Sequence, residues 1–415
     1  MISNNIELTG LKTNSHGDIT LNGSKSISNR VLIIRALCKH PFDIKNLSTS
    51  DDTVTLQSLL SSDETILDAH HAGTTFRFMT AYLATRPTHK TLTGSQRMQQ
   101  RPIGPLVNAL RSLGADIHYE NNEGYPPLVI NGKQLRGGEV SIDASISSQF
   151  LSALLLIAPT LEHGLKLSLM GELVSQSYLM MTLRIMEYFG ISYAWQDNII
   201  TIEPQSYVAK DFYVEADWSA ASYFYSVAAL SDSSEITLRG LQKNSLQGDK
   251  AIADISKHFG VITEYHTDHI VLRKNITEDL PTVLEYNFML CPDIAQTVSV
   301  MCAGLGIQML FSGLQTLYIK ETDRVAALQT ELQKVGVFLS KLPSKFSAKT
   351  DVVYHIQEGK AAANGRPTFD TYNDHRMAMA FAPLAMLFDV EIADKLVVTK
   401  SYPSFWDDFL SLFNS

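Results

Sequence analysis

Cysteine is scarce. Cys38, Cys291 and Cys302 are the only three in 415 residues, with no CxxC pair and no metal-ligand spacing. That excludes a disulfide scaffold and suits a reducing, cytoplasmic setting. Positive charge is in deficit as well: 34 Lys and Arg face 43 Asp and Glu, a formal net charge of −9. A nucleic-acid partner is therefore not expected, and any anion must be met by local clusters of cations. No apolar run reaches about 18 residues without a charge or turn residue, so no membrane span is expected. The opening MISNNIELTGLK lacks the apolar core of a signal peptide. A nucleotide-binding GxxxxGK[ST] loop ending at Lys25 would need glycine at positions 19 and 24, where Ile19 and Ser24 stand. His70 and His71 are adjacent, but neighbours on a helix point apart and no third ligand is spaced to help them, so metal is not expected. No Ser-His-Asp arrangement is visible.

What is present is a soluble globular mix, 45% apolar and 19% charged, long enough for two domains. One pattern recurs. A polar loop is followed by an apolar-periodic segment that a glycine closes, and a short strand-like run comes next. Gly94 to Gly114 encloses Leu106, Leu110 and Leu113, and Gly171 to Gly190 encloses Leu179, Leu183 and Met186. Gly240 to Gly260 encloses Ile252, Ile255 and Phe259, and Gly313 to Gly336 encloses Leu328, Leu332 and Val335. This is helical spacing with a glycine C-cap. The following runs are ADIHYE, ISYAW, VITEY and VFLSK, and weaker copies begin at Asn46 and near Thr399. Six units of roughly 70 residues predict an α/β fold in two lobes of three repeats each, joined near Asp217. A cleft between two such lobes is where a small-molecule site is expected.

The loops ahead of the helices carry the chemistry. GSKSISNR, residues 23–30, sets Lys25 and Arg30 at a helix start, an anion-binding arrangement. HHAGTTFRFM brings Gly73, Thr74, Thr75 and Arg77, and QRMQQRPIG brings Arg97 and Arg101. SISSQF offers neutral donors and acceptors, and SQSY a weaker set. Asp293 stands in apolar LCPDIAQT and should have a partner or a perturbed pKa. IKETDR supplies Lys320, Glu321, Asp323 and Arg324; YNDHRMAMAF supplies Asp374, His375 and Arg376; Lys400 lies in TKSYPSF. Charge runs are often solvated helix starts. Here the same strand-to-helix position recurs from repeat to repeat. Lys25, Arg30, Arg77, Arg101, Lys320, Arg324, Arg376 and Lys400 are therefore expected to converge, together with Asp293, Glu321 and His375. Many cations point to polyanionic substrates, and acids with a histidine to proton transfer.

Taken in order, GSKSISNR, AGTTFR, RPIG, SSQF, NSLQGD, IKETDR and YNDHRMAMAF resemble the 5-enolpyruvylshikimate-3-phosphate synthase family along essentially the whole chain. The resemblance implies an inside-out α/β barrel architecture, with two lobes of three βαβαββ-type repeats closing on substrate. The lobes would be residues 20–216, and residues 1–19 with 217–415. It implies transfer of an enolpyruvyl group from phosphoenolpyruvate to shikimate 3-phosphate with release of phosphate, without metal or organic cofactor, by a monomer that glyphosate inhibits. By motif position, Lys25, Ser26, Arg30, Ser147, Ser148, Gln149, Ser175, Asp293 and Lys320 would contact shikimate 3-phosphate. Lys25, Gly73, Arg101, Gln149, Arg324, Arg376 and Lys400 would contact phosphoenolpyruvate. Asp293 would deprotonate the attacking hydroxyl, while the carbon proton is divided among Glu321, Lys25 and His375. Three positions depart from common members: His71 stands for Asn, Gln100 for Glu, and Thr316 for an Asn found in some. Two alternatives stay open. One is the UDP-N-acetylglucosamine enolpyruvyl transferase, which resembles a KN start and uses a loop cysteine as acid. The other is a non-catalytic anion-binding protein of the same fold, which should have lost Asp293, Glu321 or Lys25.

Overall fold

The computed structural model describes residues 4–275, 279–343, 345 and 352–413. The chain divides into two compact units, Gly23–Val214 and a second formed by the residues up to Asn22 together with those from Glu215 on. Each unit has its own apolar core.

The repeat is visible as a sheet motif. In Gly23–Val214, strand Ile66–Asp68 lies parallel to Thr88–Thr93, which pairs antiparallel with Leu128–Gly132, and Asp116–Tyr119 forms the far edge. Gly138–Asp143, Leu165–Met170, Ile199–Ile202 and Ala194–Gln196 repeat this order. A two-stranded parallel piece, Ile44–Lys45 with Phe212–Tyr213, is the third. The other unit has two sheets of the same kind. One is Asn14–Thr20, Ser233–Arg239, His269–Lys274 and Val261–Tyr265; the other is Val283–Asn287, Gln308–Ser312, His355–Glu358 and Phe338–Lys341. Its third sheet is three-stranded, Thr368–Phe369, Val390–Ile392 and Ile6–Leu8.

Every parallel pair needs a helical crossover, and two kinds of helix result. Those following the first strand are apolar nearly all round. In Ser148–Ile157 the eight residues from Phe150 on are buried, and His375–Phe381 is buried throughout. Such helices belong at the centre of a unit. Gly73–Ala84 packs on Ser148–Ile157, and Ala295–Leu305 packs on His375–Phe381 and Trp218–Leu230. Helices following the second strand are one-faced, as in Gly104–Ser112 and Arg324–Gln333. Each unit is thus built on inner helices covered by sheets. The closing glycines at 114, 190, 260 and 336 all have positive φ, as a left-handed C-cap requires.

The strand-like runs ADIHYE, VITEY and VFLSK form strands, whereas ISYAW becomes one only from Ala194. The stretch Met309–Leu317 is strand only to Ser312, and Gln315–Ile319 turns as a short 3-10 helix. His70 and His71 lie in the turn before the helix that opens at Gly73, so their spacing is not a helical one. Among the described residues no helix is long and apolar enough to cross a membrane.

Candidate active site

The first strands end where the first helices begin, and the polar motifs sit at that junction. Carboxyl ends of parallel strands are the usual place for ligands in α/β sheets, because helix N–H groups point there.

In the unit Gly23–Val214, four helix starts touch. Helix Lys25–Leu37 meets helix Asp51–Leu60 through Lys25 Nζ, 3.5 Å from Asp52 Oδ2. The hydroxyl of Thr75 donates to the Asp52 carbonyl at 2.7 Å, which brings in helix Gly73–Ala84. Gln149 Nε2 donates to Thr74 Oγ1 at 3.0 Å, which brings in Ser148–Ile157. Ser147 caps that last helix, accepting from the Gln149 amide. Ser26, Ser147, Ser148 and Gln149 are half-buried. Ser175 begins helix Gln176–Tyr188 in the left-handed region (φ 56°), a strained position for a residue with a side chain.

Two arginines of this unit are fixed from within. Arg30 is buried and donates to Thr182 Oγ1 (2.7 Å), Ser152 Oγ (3.0 Å) and the carbonyls of Ser26 and Tyr178. Burial pushes its pKa down to about 10, so it stays a cation at neutral pH. Its partners among the described residues are neutral oxygens. Arg77 is also buried. Its Nη1 donates to the Gly73 carbonyl at 3.0 Å, and its guanidinium faces the Phe150 ring. Arg101 lies against Gly73: a Cβ built there would be 2.6 Å from Arg101 Nη1. The glycine is needed because the guanidinium occupies the space a side chain would take. Arg97 is exposed.

In the other unit the expected charged residues form one network. Asp293, which lies in an apolar stretch of sequence and was expected to have a partner, is surrounded by cations. Its Oδ1 accepts from Arg324 Nη1 at 3.0 Å and lies 3.8 Å from Lys320 Nζ, and its Oδ2 is 3.2 Å from Arg376 Nη2. Glu321 is held between Arg324 Nη2 and Lys400 Nζ, both at 2.9 Å. Arg324 also donates through Nε to Asp374 Oδ2 at 2.7 Å. Burial alone would lower the Arg324 pKa, but Asp374, Glu321 and Asp293 together raise it. KETDR is therefore no solvated helix start: Arg324 is 2% exposed and its three carboxylates surround it. Lys320 has its pKa lowered by burial, against the pull of Asp293. The His375 ring is buried at its helix start, with Nδ1 3.7 Å from Asp374 Oδ1. Thr316 is 8% exposed, and its hydroxyl has no hydrogen-bond partner among the described residues. His71 and Gln100 are exposed. Among the described residues, no group of His, Cys, Asp and Glu is arranged to hold a metal ion.

A family model described as EPSP synthase (3-phosphoshikimate 1-carboxyvinyltransferase) matches residues 54–409. The 3-phosphoshikimate 1-carboxyvinyltransferase of Bacteroides fragilis is 47% identical to this chain, covering 94% of it and 93% of the relative. The chain belongs to the EPSP synthase family. A more distant relative of the same name, from Vibrio campbellii, is 35% identical over 95% of this chain and 96% of its own. An EPSP synthase structure from Acinetobacter baumannii matches with a TM-score of 0.77 at 20% identity, covering 98% of this chain and 97% of that one, and speaks for the fold.

Three residues near the motifs of this EPSP synthase family member had been given no role from the sequence. Asp52 faces Lys25, and Asp374 orients Arg324 while capping its own helix through the Arg376 amide. Asp249, within NSLQGD, is 3% exposed and accepts from the Ser219 hydroxyl, which Arg376 Nη2 approaches at 3.4 Å. Burial first, and the Asp293 charge second, push its pKa up to about 7. The available signal was its position, an acid immediately before an apolar helical run, the same place that Asp293 and Asp374 occupy. Cys291 lies two residues before Asp293, but burial pushes its thiol up to about 12. At neutral pH it is neither a ready acid nor a nucleophile.

Proposed function

We propose that this enzyme of the EPSP synthase family moves the enolpyruvyl group of phosphoenolpyruvate onto the 5-hydroxyl of shikimate 3-phosphate. The observation that carries this reading is the network in which Asp293 and Glu321 sit among Arg324, Arg376, Lys320 and Lys400. Two trianionic substrates need many cations, and the chemistry needs carboxylates that take and return protons.

The 5-hydroxyl loses a proton while its oxygen attacks C2 of phosphoenolpyruvate, and the methylene carbon gains one. The tetrahedral adduct then loses that carbon proton and expels phosphate, which restores the double bond. In our reading Asp293 accepts the hydroxyl proton. Glu321 serves the carbon proton with Lys25 and His375. Lys25, Gly73, Arg101, Gln149, Arg324, Arg376 and Lys400 hold phosphoenolpyruvate. Lys25, Ser26, Arg30, Ser147, Ser148, Gln149, Ser175, Asp293 and Lys320 hold shikimate 3-phosphate. Bidentate arginine contacts to carboxylate and phosphate fix the reacting geometry. Arg30 and Ser175 are themselves buried, so they act from beneath the surface, Arg30 as a fixed positive charge under the start of helix Lys25–Leu37. Glyphosate, an anion with phosphonate and carboxylate groups, competes for the phosphoenolpyruvate positions. The enzyme works as a cytoplasmic monomer. The raised Cys291 pKa speaks against the alternative acceptor chemistry that relies on a cysteine acid.

The test is phosphate release from phosphoenolpyruvate, measured with shikimate 3-phosphate, with UDP-N-acetylglucosamine and with no acceptor. Release with shikimate 3-phosphate alone is expected. Release only with the sugar nucleotide, or with neither, overturns the proposal.

A further inference from the structure

Glu331 is fully buried, and nothing in the proposed chemistry uses it. It sits on helix Arg324–Gln333, seven residues after Arg324 and so on the same face. Both of its carboxylate oxygens are engaged. Oε1 accepts from the Tyr372 hydroxyl at 2.6 Å, and Oε2 accepts from the Asp370 backbone N–H at 2.9 Å. Lys334 Nζ approaches Oε2 at 2.7 Å and also reaches the Thr368 carbonyl (2.9 Å) and Asp370 Oδ2 (3.1 Å).

The segment held this way leads directly into the site. Tyr372 and Asn373 are both left-handed, with φ of 54° and 56°. Two successive non-glycine residues in that region cost of order 1–3 kcal/mol each and persist only where surroundings over-determine them. The turn closes with the Asp374 amide donating to the Thr371 carbonyl at 2.8 Å. Asp374 then takes Arg324 Nε, and Arg376 reaches Asp293 and Ser219. One helix therefore grips the segment twice, through Arg324 at its first residue and through Glu331 two turns on.

We propose that Glu331 is a positioning residue that acts through Tyr372 and the Asp370 backbone to set the strained turn from which Asp374 and Arg376 project. The part concerning substrate rests on Arg376 holding phosphoenolpyruvate. Glu331→Gln keeps the shape but cannot accept at both oxygens. Amide hydrogen exchange at 370–376 should speed up in this variant, while the helix Ala295–Leu305 stays protected. kcat/KM for phosphoenolpyruvate should fall at least about tenfold, because misplacing a binding group by about 1 Å carries such penalties. The KM for shikimate 3-phosphate should stay within about twofold, and in an Arg376→Lys background the same change should cost less than about twofold more. Unchanged exchange at 370–376, or a full additive loss in that background, overturns the proposal. If Glu331→Gln does not fold, Tyr372→Phe decides: the same exchange and kinetic pattern at smaller size supports it, and wild-type behaviour overturns it. Faster exchange in a protein whose wild type releases no phosphate would instead overturn the reaction assigned above and leave the role of Glu331 standing.

Discussion

Gly73→Ala isolates one contact. The new methyl carbon would stand 2.6 Å from Arg101 Nη1 and 3.2 Å from Cζ and Nη2, where ordinary contact begins at 3.4 Å. The closest approach is short by about 0.8 Å, more than thermal slack in a packed site absorbs. The helix backbone at residue 73 is held by Thr75 to Asp52 and by Arg77 to the Gly73 carbonyl, so the guanidinium is the part that moves. Arg101 is 8% exposed, so its displacement is toward the ligand positions or into packed neighbours. Overpacking of this size costs roughly 1–3 kcal/mol, a factor of roughly 5 to 150 in a binding constant. The glyphosate inhibition constant should rise by a factor in that range. The KM for phosphoenolpyruvate should rise less, because its shorter outline leaves the displaced guanidinium more room. Inhibition and steady-state constants for both proteins, with circular dichroism to confirm folding, make the assay. An unchanged inhibition constant would refute the reasoning, since it would mean that Arg101 can yield without touching the anion.

Lys25→Met should nearly abolish turnover and also lower Tm, because Asp52, 4% exposed, loses its cation. Adding Asp52→Asn should restore Tm but not activity, and a double variant within about tenfold of wild type in phosphate release would contradict the role. Asp293→Asn and Glu321→Gln should each lower kcat far more than they raise either KM; a normal kcat with a raised KM would make that residue a binding group only. Asp249, with a folded pKa of about 7 against an ordinary 3.8, binds its proton more tightly when folded. The contribution of Asp249 to stability should therefore fall as pH rises from about 4 to about 7. The Tm advantage of Asp249→Asn should grow over the same interval, and a difference that stays flat with pH would show that Asp249 is not protonated in the fold.

The strand-to-helix junctions were legible because polar residues and glycine interrupt apolar runs at each one, and every parallel pair needs a crossover there. Partnership was harder to read. That Asp293 needs a partner was legible, but which cation meets which of its oxygens was not, because those cations come from residues 320, 324 and 376, separations that only the turn geometry closes. Gly73 pointed to a close backbone approach, and the group that approaches is Arg101, 28 positions on. Arg30 could be placed near a helix start, but its hydrogen bonds to Thr182, Ser152 and two carbonyls could not be read from local spacing. Pairing of this kind depends on register between repeats, which local periodicity does not encode. ISYAW shows the same limit within one strand: Ile191 and Tyr193 suit a sheet, but strand pairing begins only at Ala194.

In the proposed reaction C2 of phosphoenolpyruvate is attacked and phosphate leaves with its bridging oxygen. Phosphoenolpyruvate labelled with oxygen-18 at that bridging position, incubated with shikimate 3-phosphate and the enzyme, tests it most directly by mass spectrometry of the products. The label is expected wholly in released phosphate, with an enolpyruvyl ether on the shikimate 5-oxygen. Label retained in pyruvate, with the phosphoryl group transferred to the acceptor or to water, would contradict it.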